Sequence, residues 1–201
     1  MVRYQVSVSL DGFTTGPNDS VEEGLGEGGE RLHEWVVALE GWRAEHGYEG
    51  GETGPENDMF EKVYGNRGAV VMGRRMFDHG EKPWGEEPPF GTPVFVVTHR
   101  EREPLEKVGT TFHFVTDGVE SALEQAKEAA GDKNVSIAGG ARSAQQLLEA
   151  GQIDEIHLHV VPVAMGGGVP LFENLDPEIE LERTMVLEGP NATHISYRPI
   201  R

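Results

Sequence analysis

Three short apolar runs, each stopping abruptly at a glycine or a polar turn, constrain the fold of this chain more than any other feature. Ala69-Val70-Val71-Met72 stops at Gly73, Val94-Phe95-Val96-Val97 stops at Thr98-His99-Arg100, and Val135-Ser136-Ile137-Ala138 runs into Gly139-Gly140. Runs of this length are too short for helices and lack the alternation of a half-exposed strand. They read as strands buried on both faces. Helical patterns punctuate them. Residues 118–130 bring Val119, Ala122, Leu123 and Ala126 to one side, and the segment after Gly140 does the same with Ala144, Leu147 and Leu148. Strand, helix, strand in this rhythm predicts a mostly parallel sheet with helices on both faces.

The flanking segments extend that plan. Arg3–Leu10 alternates and breaks at Asp11-Gly12, as a strand ending in a turn does. Residues 14–30 read as loop. A helix is expected over about Glu30–Glu45, with Leu32, Trp35, Val36, Leu39 and Trp42 on one face. His46–Glu56, rich in glycine and acids, is expected to be a mobile loop, after which Asn57 or Asp58 caps a short helix carrying Met59, Phe60 and Val63. Phe112–Val115 and Ile156–Val163 read as strands. Leu181–Leu187 and Thr193–Tyr197 flank Gly189-Pro190-Asn191 and predict an antiparallel hairpin at the C-terminal end of the sheet. At 201 residues the chain suits one domain.

Charge narrows the partners. Thirty-five acidic residues against 17 basic give a formal net charge of −18, which repels nucleic acid and anionic membranes at long range. No stretch approaches the roughly 18 apolar residues of a membrane span, and the N-terminal residues lack a signal peptide's apolar core. The absence of cysteine excludes disulfides and Cys-ligated zinc and is compatible with a cytoplasmic setting. Against this acidic background, the placement of the few basic residues is informative. Gly73-Arg74-Arg75-Met76, Thr98-His99-Arg100 and Gly139-Gly140-Ala141-Arg142-Ser143 all fall at predicted carboxyl ends of strands, where open parallel sheets gather ligands. Backbone N–H groups, glycines and guanidiniums at such ends suit phosphate. Each is weak alone; together they point to a ligand with several phosphates.

Taken with Ser9-Leu10-Asp11-Gly12, the segment 151–158 (GQIDEIHL) and the segment 162–168 (PVAMGGG), these motifs resemble the RibD C-terminal (riboflavin-biosynthesis reductase) branch of the dihydrofolate reductase-like superfamily. The likeness spans nearly the whole chain apart from about 14–57, an inserted helix and loop. It implies a three-layer α/β fold and NADPH as cofactor. Gly73, Arg74, Arg75 and Met76 match the first cofactor loop. Thr98, His99 and Arg100 match the loop beside the adenine ribose and its 2′-phosphate, and Gly139, Gly140, Ala141 and Arg142 match the pyrophosphate loop. It also implies a homodimer and a small heterocyclic acceptor such as a ribosylamino-pyrimidine.

On the acceptor side the resemblance places Asp11 near the nicotinamide, where it either donates a proton, binds a substrate hydroxyl or builds the turn at the strand end. Gly166, Gly167, Gly168, Leu171 and Phe172 fall where the family shapes the acceptor pocket; three glycines equally suit a flexible turn. The helix 30–45 carries Glu34 and Glu40 but lacks the pattern around the acid that protonates pterin in dihydrofolate reductases, which argues against folate. His157 and His159 share a strand face without an evident third metal ligand, so packing is favoured over a metal site. Bifunctional family members carry a zinc deaminase with an H-x-E…P-C-x-x-C signature, which this cysteine-free chain lacks. A non-catalytic nucleotide-binding protein and a reductase of an unrelated metabolite remain the competing readings.

Overall fold

A computed structural model describes residues 1–173, 175–176 and 178–200. Its centre is a nine-stranded sheet in the order β4-β5-β3-β2-β6-β1-β7-β9-β8. The parallel strands are β1 (Val2–Ser9), β2 (Arg67–Gly73), β3 (Val94–Val97), β5 (Thr110–Val115), β6 (Asn134–Ala138) and β7 (Glu155–Val161). The expected hairpin, β8 (Leu181–Glu188) and β9 (Thr193–Pro199), adds antiparallel to β7. At the other edge lies β4 (Leu105–Lys107), a three-residue antiparallel strand with no counterpart in the sequence reading.

Alternation along each buried strand sorts its side chains between two layers. Val2, Tyr4, Val6, Val8, Val71, Phe95, Val135 and Ile137 face α5 (Val119–Ala130) and α6 (Ala141–Glu149), the two helices with the clearest apolar stripes. Val70, Met72, Val94, Val96 and Phe112 face the other way, onto Phe77 of α4 (Arg74–Gly80). Beside them on that second face, over β1, β7 and β9, lie Trp35, Leu39, Phe60 and Val63. The result is a three-layer α/β sandwich, the dihydrofolate reductase-like fold that the motifs implied.

The helix expected over 30–45 is broken. A 3-10 turn (Gly29–His33) leads into α1 (Glu34–Val37), and α2 (Glu40–Glu45) starts afresh after Leu39, whose backbone is extended at φ −71°, ψ 141°. Glu52 causes the break. Its N–H donates to Ala38 O at 2.8 Å and its carbonyl accepts from Glu40 N at 3.0 Å, so the chain from 46 to 52 docks as a bridge across the helix axis. The Arg43 guanidinium grips the Glu49 and Gly50 carbonyls of the same loop. The next helix, α3 (Pro55–Tyr64), begins at a proline, with Gly54 rather than Asn57 or Asp58 before its first turn. Asn57 is instead buried, and its Oδ1 accepts from Gly41 N at 2.7 Å, tying α3 to α2.

Candidate functional site

Register puts the loops of interest on one edge. Gly73 pairs with Val97, Met72 with Ala138, Val97 with Val115 and Ser9 with Val161. The segments 98–100, 73–76, 139–142, 9–12 and 162–168 therefore leave β3, β2, β6, β1 and β7 side by side at the carboxyl ends, the edge where α/β sheets bind ligands. The chain's own packing brings 73–76 and 139–142 into contact. A Cβ at Gly139 would collide with the Met76 side chain, and one at Gly140 would lie 3.5 Å from Gly73 N. Both glycines take positive φ, 54° and 59°, so it is backbone conformation that disfavours a side chain at either position. α6 starts directly after them, opening its first-turn N–H groups at the strand ends.

The cations of this edge are differently committed. Arg74 Nε donates to Asp78 Oδ1 at 2.6 Å, one helical turn on, and its guanidinium lies over Phe77 and Phe114. Arg100 Nη2 is 3.7 Å from the other oxygen of Asp78. Arg75 Nη2 is 2.6 Å from Asp19 Oδ1, in the loop between β1 and the 3-10 turn. Thr98 is buried, its Oγ1 accepting from Arg100 N at 3.1 Å, whereas His99 and Arg142 are exposed. Arg142 has no ion-pair partner among the described residues.

Asp11 is held as an anion. Its Oδ1 accepts from Ser9 Oγ at 2.7 Å and Met165 N at 3.0 Å, and its Oδ2 from Gly166 N at 2.7 Å. These bonds, the Met165 N–H first, lower its pKa to about 2. A carboxylate of this kind has no proton to give near neutrality. Of the roles the sequence left open, proton donation does not fit; turn-building is what these bonds accomplish. Leu10 N donates to Val163 O, Leu171 N to Gly12 O and Thr14 N to Val169 O, so the first loop and the triglycine loop are knitted into one unit. Gly168 sits against Thr15 O at φ 129°, with no room for a Cβ. Leu171 departs from its expected pocket role: it is buried in the core, and its carbonyl accepts from Gln145 of α6. Phe172 and Leu10 are the exposed apolar side chains here, at 38% and 72%.

His159 is buried in a line of polar groups under Trp35. Its Nδ1 lies 2.8 Å from His194 Nδ1, and His194 Nε2 lies 2.7 Å from Glu56 Oε1. His157 bonds Ser196 Oγ, and Trp35 Nε1 donates to Ser7 Oγ. Among the described residues no group of three or more His, Asp or Glu is disposed to hold a metal, and no helix is long and apolar enough to cross a membrane. Open surface depressions of about 480 and 330 Å³ lie elsewhere, at the amino ends around Met1 and Ile153 and on the loop 23–30. Neither is lined by the loops at the carboxyl ends.

The sequence reading did not single out Asp19 or Asp78 as partners of these arginines. Asp78 had a signal, its i+4 spacing from Arg74; Asp19 had none.

The fold is one that known proteins share. A riboflavin-biosynthesis-assigned protein from Shewanella sp. PV-4 superposes with TM-score 0.67 at 20% identity, covering 100% of this chain and 99% of that one. Enterococcus faecalis dihydrofolate reductase complexed with NADP(H) gives 0.57 at 14% identity, covering 99% and 96%. A diaminohydroxyphosphoribosylaminopyrimidine deaminase/5-amino-6-(5-phosphoribosylamino)uracil reductase from Thermotoga maritima gives 0.63 at 13% identity, with 100% of this chain matching 56% of that one. The family model of the RibD C-terminal domain matches residues 1–195, and the chain belongs to that family.

Proposed function

We propose that the protein is an NADPH-dependent reductase that delivers hydride to a ribosylamino-pyrimidine or a related heterocycle, as in the 5-amino-6-(5-phosphoribosylamino)uracil reductases. One observation carries the reading. Three loops bearing Arg74, Arg75, Arg100 and Arg142 leave adjacent strands β3, β2 and β6 at the same edge, in a chain with twice as many acids as bases. Solvation alone gives no reason for that convergence; a ligand with several phosphates does.

The residues present fit such a cofactor. Gly139 lies bare against the Met76 side chain and Gly140 against the Gly73 backbone, both at positive φ, a cradle in which a side chain at either position is strained. In this reading Gly139, Gly140, Ala141 and Arg142 hold the pyrophosphate, Gly73, Arg74, Arg75 and Met76 the adenosine side, and Thr98, His99 and Arg100 the ribose, with the guanidiniums of Arg74, Arg75 and Arg100 serving its 2′-phosphate. Bound NADPH supplies the hydride. The protein's own part is orientation. Asp11, ionised, fixes Met165 and Gly166 and so sets the position of the triglycine loop at the strand ends. Gly166, Gly167, Gly168 and Phe172, with Leu10, frame the acceptor, and the 14–57 segment reshapes that pocket within a single domain. A homodimer in the cytoplasm belongs to the same reading.

Fluorescence titration of NADPH and NADH, followed by loss of reduced-nicotinamide absorbance with an acceptor panel, tests it. NADPH binds more tightly than NADH, and Arg75→Ala narrows the difference by roughly 10-fold or more, the worth of one charge-assisted contact. Equal binding of the two cofactors overturns the assignment. Tight NADPH binding without turnover of any acceptor favours the non-catalytic reading.

A further inference from the structure

Arg75 cannot offer a phosphate its paired donors in the conformation described. A guanidinium has two edges that present parallel N–H groups to a tetrahedral anion, Nη1 with Nη2 and Nε with Nη2, and both include Nη2. That atom is already taken. It donates to Asp19 Oδ1 at 2.6 Å and to the Asp19 carbonyl oxygen at 3.3 Å. The groups left over, Nε and Nη1, flank the side-chain stem and share no edge.

Asp19 is no loose surface acid. Its side chain is 9% exposed, whereas that of Arg75 is 64% exposed. The loop that carries it closes on itself: Gly16 N donates to Leu25 O, Glu27 N to Pro17 O and Asn18 Nδ2 to Glu27 Oε1. A Cβ at Gly16 or Gly26 would strike backbone across this neck. On α4, His79 Nδ1 lies 3.1 Å from Gly24 O and 3.9 Å from Asp19 Oδ2, so the loop 16–27 docks as a unit on the helix that follows the first cofactor loop. Asp78, by contrast, pairs with Arg74 within one helix and with Arg100 of the neighbouring strand-end loop, and among the described residues has no ion pair with the loop 16–27.

We propose that Asp19 determines cofactor specificity by competing with the 2′-phosphate for Nη2 of Arg75. This rests on the reading of Arg75 as a phosphate ligand. A nucleotide bearing the phosphate must exchange one anion for another, and a nucleotide without it need not. Asp19 therefore weakens 2′-phosphorylated ligands selectively and narrows the gap between the two cofactors. Because coupling is reciprocal, the arriving phosphate also unseats the loop 16–27: a carboxylate this enclosed does not stay seated once its cation is withdrawn.

Calorimetric titration of wild type, Asp19→Asn and Asp19→Ala with 2′,5′-ADP and with 5′-AMP tests the exchange. Both variants bind 2′,5′-ADP about 10-fold more tightly than wild type, the scale of one charge-assisted contact, and bind 5′-AMP unchanged. In wild type, 2′,5′-ADP speeds amide exchange within 16–27. Equal or weaker 2′,5′-ADP binding by both variants, with wild-type binding intact, overturns the competition while leaving the cofactor assignment standing. Failure of all three proteins to bind 2′,5′-ADP removes the assignment itself and the competition with it.

Discussion

Asp11 carries the sharpest residue-scale consequence, because its three hydrogen-bond donors converge on one carboxylate. In Asp11→Asn the amide presents an NH₂ where an oxygen stood, so at least one of the facing donors, Ser9 Oγ–H, Met165 N–H or Gly166 N–H, loses its acceptor. The triglycine loop then loosens. The expected result is a KM for the acceptor raised roughly 10-fold, with kcat changed less and NADPH affinity intact. A proton donor would behave oppositely, with kcat falling about 100-fold or more at unchanged KM. Steady-state kinetics of the variant separate the two. The same residues show what sequence can and cannot reveal about a site. The three cation-bearing loops were legible because each breaks an apolar run, and a buried parallel strand leaves only its ends for polar chemistry. What holds those cations was not. Asp19 reaches Arg75 from 56 residues away, out of a loop with no periodicity, and nothing short of the folded loop brings them together. Leu171 shows the converse: its motif position suggested the pocket, but a packed α6 lies within reach and claims it.

At the scale of elements, strands and the helices α5 and α6 follow directly from apolar period, since burial decides both. The stretch 30–45 does not, because its apolar spacing is helical throughout and only Glu52, arriving from the next loop, interrupts it at Leu39. β4 escaped for another reason. It is three residues long, charged, and defined by its partner Thr110–Phe112 rather than by its own pattern. The histidine line is likewise a product of pairing, since the β7–β9 register sets His159 opposite His194, and α3 supplies Glu56. His194 Nε2–H donates to the Glu56 carboxylate, which leaves His194 Nδ1 to accept from His159 Nδ1–H, and a second proton between the rings would set two N–H groups face to face. Burial first, and the neighbouring His194 second, push the His159 pKa well below the usual imidazole range, and burial does the same, less strongly, for His33 and His157. Folded-state values below the unfolded ones mean stability that is complete above about pH 6.5 and lost as pH falls beneath it, because the unfolded chain takes up protons the folded one refuses. Each such group contributes at most ~1.4 kcal/mol per pH unit. Urea melts between about pH 7.5 and 5 should show this slope, and His159→Gln should flatten it. The depressed carboxylates Asp11 and Glu81 act only in more acidic solution, so a melt insensitive to pH in that window would contradict the neutral, buried histidines.

For the molecule as a whole, two fields act on an incoming polyanion with opposite signs. The four arginines at the strand ends attract it, but three of them face Asp78 or Asp19, and the entire chain carries −18. In dilute salt the Debye length is about 30 Å, comparable with the size of the domain, so the net charge reaches the ligand before the arginines do. At about 0.15 M it shrinks to roughly 8 Å, and only the strand-end groups remain within range. NADPH association should therefore accelerate several-fold as salt rises from about 0.01 to 0.15 M, the reverse of what a basic binding face gives. Further salt weakens the charge-assisted contacts themselves and speeds dissociation. Kd should thus pass through a minimum near physiological ionic strength, with the falling limb in the association rate and the rising limb in the dissociation rate. Stopped-flow quenching of NADPH fluorescence across a potassium chloride series resolves the two rates. An association rate that falls steadily from the lowest salt would show that the arginine cluster focuses the field over the acidic surface, and that Asp19 and Asp78 neutralise it less than their short contacts imply.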